Sequence, residues 1–206
     1  MNKKVFIIAR TGVMLALVLV LQYVGSLIGK AAFPGIGSTI LVGSLVNFVL
    51  ALSVFYCGIW GGLVIGMLTP VMALLIGQMG QPVLIPFIGI GNALFVAVLW
   101  ASGKLPWGEW VRLVAGLIAA SAVKFCWMCF GVVSLLPVLG IPEKAIPTLT
   151  VNFGLLQLWA ALIGGTLAVL VKKALVRSGI KEEHDLASKQ TPQGGEAEQP
   201  VESDKE

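Results

Sequence analysis

Residues 38–77 read STILVGSLVNFVLALSVFYCGIWGGLVIGMLTPVMALLIG, an apolar run without a single charge. A transmembrane helix needs about 20 such residues to cross about 30 Å of hydrocarbon, so the run is too long for one span and long enough for two. Cys57-Gly58 is where it can turn, which gives Ser38–Tyr56 and Gly58–Gly77 joined by a hairpin. Working outward, runs bounded by charge, proline or polar clusters supply four more spans: Phe6–Ile28, Val83–Ala101, Trp110–Leu136 and Thr150–Val171. The expected fold class is all-α, a polytopic membrane bundle of six transmembrane helices within residues 1–177.

Composition points the same way. The chain is 57% hydrophobic and 12% charged, with a mean hydropathy of +0.95, whereas a soluble domain carries about 25% charged residues. The charges are segregated: residues 1–177 hold 11 Lys and Arg against 2 Asp and Glu, and residues 178–206 hold 3 against 8. The pI near 9.1 therefore reflects a basic membrane body and calls for no nucleic-acid partner.

Short loops rich in Lys and Arg stay on the cytoplasmic side. With both termini cytoplasmic, Lys3, Lys4, Arg10, Lys104, Arg112, Lys172, Lys173 and Arg177 lie inside and only Lys30 and Lys144 outside. The expectation is a multi-pass plasma-membrane protein. A signal peptide is the other reading of the N-terminus, but the first run is too long for one and no small-x-small site precedes a soluble domain. Residues 178–206, with Gln190-Thr-Pro-Gln-Gly-Gly and scattered acids, are expected to form a disordered acidic tail.

Polarity is costly in lipid, so each polar residue within a span is informative. Lys124 lies 14 residues into the fifth span, about 20 Å from its cytoplasmic end. An amine at that depth costs about 2.5–3.5 kcal/mol, and no Asp or Glu lies in any span to pair with it. Two readings stand. Lys124 either snorkels or bonds to backbone carbonyls and a neutral amide, or it is the counter-charge for an anionic group on a bound solute. Trp127, Met128 and Gly131 follow on the same helical stripe, which suits either a pocket wall for a flat polar molecule or plain helix packing.

Asn152 and Gln157 enter from the outer end of the sixth span, Asn92 is midway in the fourth and Asn47 midway in the second. Lone amides usually glue helices together, whereas several at one depth fit a polar site. Gln78 and Gln81, in the outer loop, can cap it. Cys126-Trp-Met-Cys129 has the spacing of a redox dithiol, but the remaining thiol, Cys57, falls at the opposite face, so small buried thiols are the expectation. The lone histidine, His184, is in the tail and no metal site is expected. Gly58, Gly61, Gly62 and Gly66 give the third span a smooth face, and Gly12 with Ala16 forms a small-xxx-small pair on the first. Either face suits internal packing, and the small face on the first helix also suits the docking of a second membrane subunit.

Together these features resemble the substrate-binding S components of energy-coupling factor (ECF) vitamin transporters. The resemblance covers residues 5 to about 175 and rests on the six spans, on Ala9-Arg-Thr-Gly-Val-Met-Leu-Ala16 and on Gly58-Ile-Trp-Gly-Gly-Leu-Val-Ile-Gly66. It implies a protein that captures a vitamin or related precursor near the extracellular side and works with a transmembrane coupling subunit and two ATPase subunits. An A-x-x-x-A pair on the family's first helix contacts the coupling subunit; Gly12 and Ala16 occupy those places, with glycine for the first alanine. No G-x-x-x-x-G-K-[ST] is present, so ATP hydrolysis would belong to the partners.

From depth and polarity, Lys124, Trp127, Asn152 and Gln157 are the candidate substrate-binding residues, with Asn92 behind them, and Lys124 inclines the site towards an anionic or carboxylate-bearing solute. No cofactor is expected. The alternative is a polytopic scaffold or assembly protein with no small-molecule ligand, in which Lys124 sits against a partner or carbonyls. A membrane enzyme is disfavoured because the spans offer no carboxylate or histidine, with Glu109 only at a border. Channels and secondary carriers would call for acidic coupling residues or inverted repeats.

Overall fold

The structure is a computed structural model describing residues 3–178 except 80, 136, 139, 141, 143 and 145. The predicted tail, apart from Ser178, lies outside the described residues. Six α-helices follow in order: α1 Lys3–Ala32, α2 Ile36–Leu75, α3 Leu84–Ser102, α4 Glu109–Phe130, α5 Ile146–Phe153 and α6 Leu155–Arg177, with a π-helical turn Gly131–Leu135 continuing α4. There is no strand among the described residues. Among the described residues, five stretches are long and apolar enough to cross a membrane, one of them running through α5 and α6.

The decisive run forms α2. A straight helix of 40 residues would be about 60 Å long, twice the hydrocarbon thickness. It is not straight. Gly58 has φ 70° and ψ −168°, a conformation essentially confined to glycine, and it breaks the helix. The two arms fold back on one another: a Cβ placed on Gly66 would lie 3.6 Å from Leu50, and one on Gly62 3.3 Å from Ser53. The hairpin expected at Cys57-Gly58 is thus a single-residue break with no loop.

Two other boundaries differ from expectation. The sixth apolar run is divided by Gly154 (φ −92°, ψ −104°) into the short α5 and the long α6. The fifth ends its α-helix at Phe130 and relaxes into the π-helical turn.

α2 packs against α1, α3 and α6, and α4 bridges α3 and α6. The main core joins Val49 and Leu50 of the first α2 arm and Ile65 of the second to Phe95 of α3, Ala120 of α4 and Ala161 of α6. Close backbone approach needs glycine at one point: a Cβ on Gly164 would collide with the Ser44 carbonyl oxygen and the Phe48 amide. A second cluster, Met79, Leu84, Phe87, Met128 and Val132, fills the end nearer α5. Large apolar residues cover the outside, among them Ile8, Val13, Trp60 and Leu75, each at least two-thirds exposed. An exterior of that kind belongs in lipid.

The two ends of the bundle differ. At one, Arg10 donates to the Tyr56 carbonyl (3.2 Å), Lys104 lies over Trp100 (3.4 Å) and Lys173 over Trp110 (3.0 Å), and Lys172 pairs with Glu109 (3.5 Å). Basic and tryptophan side chains together are the usual furnishing of a membrane–water boundary. The connection between α1 and α2, the residues Gly77, Gln78, Met79 and Gln81, and α5 lie at the other end.

Candidate functional site

A cavity of about 400 Å³ occupies the half of the bundle away from the basic end, lined by residues of all six helices. Lys124 forms its floor. The side chain is only 2% exposed, and its ammonium donates to Asn47 Oδ1 and Asn92 Oδ1, both at 2.8 Å. The Phe95 ring lies 5.7 Å away. These contacts use two of the three ammonium protons, and both acceptors are neutral. Among the described residues the only carboxylate side chain is Glu109, held at the far end by Lys172. Lys124 is therefore solvated by amides and has no counter-ion among the described residues.

The local sequence explains the rigidity of those amides. Pro70 has no N–H to give to the carbonyl four residues back, which leaves the Gly66 oxygen free inside α2. Asn92 Nδ2 donates to that oxygen (3.1 Å) and to Thr69 Oγ1 (3.0 Å), and Thr69 Oγ1 also donates to it (3.1 Å). With its NH₂ committed to a carbonyl, Asn92 has to turn its oxygen towards Lys124. Asn47 is fixed in the same way by donating to the Gly43 carbonyl (2.8 Å).

Of the candidate residues, Lys124, Asn92, Asn152 and Gln157 all line the cavity. Trp127 does not. Its ring stacks on Phe87 (centroids 5.8 Å apart) and its indole N–H donates to the Phe87 carbonyl (3.0 Å). Met128 is fully buried beside it, and a Cβ on Gly91 would meet both side chains at 3.2 Å. The stripe after Lys124 is thus the α3–α4 packing face. Gln78 and Gln81 also line the cavity.

Sequence reasoning missed the contribution of α1. Gln22 and Ser26, one helical turn apart, are both buried and line the cavity, and Lys30 stands exposed at its rim. Their i, i+4, i+8 spacing on an apolar helix was the available signal. Gln22 also ties down the outer loop: its Nε2 donates to Gln78 Oε1 (3.0 Å), while Gln78 Nε2 donates to the Gln22 backbone carbonyl (2.7 Å). Gln22 Oε1 is buried and has no partner.

The thiols need one correction. Cys57 is buried as expected, but Cys126 is exposed on the outer surface of α4 and Cys129 is half-buried. The glycine face of the second α2 arm packs internally, with Gly61 against Thr11, Gly62 against Val96 and Gly66 against Asn92. By contrast Gly12 and Ala16 are exposed, and nothing lies within 4 Å of a Cβ placed on Gly12.

Comparison of the chain with protein-family models, with curated proteins and with solved structures gives no match.

Proposed function

We propose that this protein is the membrane-embedded solute-binding subunit, or S component, of an ECF-type ATP-driven importer, capturing a vitamin or related precursor at the extracellular side. The observation that carries the proposal is the cavity over Lys124, a built polar chamber inside an apolar bundle, of the size that holds a small molecule. In this reading the two α2 arms are separate spans, which makes six, and the basic end with both termini faces the cytoplasm of the plasma membrane. The cavity then opens outwards.

Gly12 and Ala16 leave a small, unoccupied face on α1 where a transmembrane coupling subunit would dock. Two ATPase subunits complete the importer. The chain itself carries out no catalysis in this reading.

The test is the thermal stability of the detergent-purified protein against a panel of vitamins and precursors, with mass spectrometry of whatever co-purifies. A ligand that binds only the folded state has to raise the transition temperature. One strong shift supports capture. The scaffold alternative draws on the two amide acceptors that solvate Lys124 internally, and it expects no shift with any compound and no retained small molecule.

A further inference from the structure

Three amides around the cavity, two of them buried, have their orientation dictated by backbone carbonyls, and this gives the chamber a fixed polarity. Asn47 and Asn92 are forced to present oxygen to Lys124 because their NH₂ groups are held by the Gly43 and Gly66 carbonyls. Gln78 gives its NH₂ to the Gln22 carbonyl, so its oxygen faces the Gln22 side chain, and Gln22 has to answer with its own NH₂. What Gln22 leaves over is an acceptor, Oε1, on a side chain 3% exposed. At the floor of the chamber lies an ammonium with two of its three N–H groups bonded to amides, and in its α1 wall lies Gln22, whose buried Oε1 has no partner among the described residues.

Charge narrows the match further. No carboxylate lines the cavity among the described residues, and Lys30 at the rim adds a second positive charge. Of these two cations at the cavity only Lys124 is buried, so one desolvated negative charge can be paired there and a second has no buried partner. A buried acceptor with no hydrogen bond selects for a ligand N–H or O–H.

Building on the capture reading above, we infer that the solute is a small monoanion that also carries an uncharged N–H or O–H donor, bound with its anionic group on Lys124 and its donor on Gln22. A cation or a neutral acceptor-only molecule fits neither point.

The experiment uses the intact detergent-purified protein and acids that each carry an uncharged N–H or O–H donor, paired with a neutral partner: biotin and its methyl ester, pantothenate and its alcohol, with thiamine as the cation. Binding is read by thermal shift and by calorimetry. The expected result is stabilisation by an acid and at least tenfold weaker binding of its neutral partner, with that preference lost in Lys124→Met. The wild-type comparison needs no variant and stands even if Lys124→Met folds poorly. For the Gln22 half, methylation of the donor on the acid that binds should weaken the wild type at least threefold and leave Gln22→Met unaffected.

A neutral or cationic probe that binds as tightly as the acids overturns the inference while leaving capture intact. So does an acid preference that survives in Lys124→Met. Equal sensitivity of wild type and Gln22→Met to methylation removes Gln22 from the recognition. If no probe of any charge shifts the protein and no small molecule co-purifies, the capture reading fails and the inference with it.

Discussion

At the scale of single residues, the chemistry of the cavity follows from one proline. Pro70 frees the Gly66 carbonyl, that carbonyl holds Asn92, and Asn92 turns its oxygen to Lys124. Breaking this chain should show in stability. Asn92→Leu strips an acceptor from a buried ammonium and a donor from a buried carbonyl, at an expected cost of about 2–4 kcal/mol, measurable as a loss of resistance to denaturation in detergent. Asn47→Asp should act differently. It places a carboxylate where Lys124 now meets a neutral oxygen, so an internal ion pair forms and an anionic solute should bind at least tenfold more weakly by calorimetry. Lys124 and Asn92 were legible in the sequence because charge and amides are conspicuous in an apolar run. Trp127 was misplaced because a shared helical stripe says which residues face the same way and not what they face; here they face the small residue Gly91 and the Phe87 carbonyl. Gln22 was overlooked because one amide on a first helix resembles ordinary helix glue, and its free oxygen is visible only once Gln78 is in place.

At the scale of elements, glycines divide into those the fold needs and those it leaves open. Gly58→Ala forces a side chain into φ 70°, ψ −168° and should cost about 1–3 kcal/mol. Gly164→Leu drives a side chain into the backbone of α2 and should prevent stable folding, seen as loss of a monodisperse species in size-exclusion chromatography. Gly12→Leu combined with Ala16→Leu alters an exposed stretch of α1, where nothing lies within 4 Å of a Cβ placed on Gly12. It should leave thermal stability and solute binding unchanged while weakening co-purification with the coupling subunit, and unaltered assembly would show that this face is merely lipid-exposed. The hairpin was readable from the length of the apolar run alone. The break at Gly154 was not, because Thr150–Val171 is the length of a single span and one glycine within it does not by itself mark a change of direction.

At the scale of the whole molecule, the bundle has a basic, tryptophan-rich end and a cavity end. The proposed orientation is open to a direct check. In a background without native cysteines, Ala32→Cys should react with a membrane-impermeant maleimide added outside intact cells, and Gly103→Cys only after the membrane is opened. The reverse pattern would turn the cavity inwards and exclude extracellular capture.

The break at Gly58 bears on how such a chain enters a membrane. No charged residue lies anywhere from Ala31 to Gly103, so the turn between the two arms of α2 carries no retention signal of its own. Neither arm has the means to choose a direction alone. In the six-span reading the hairpin has to partition into the bilayer as one unit during synthesis, its orientation borrowed from Arg10 before it and Lys104 after it. The feature that lets two helices pack without a loop thus makes their biogenesis depend on residues outside them.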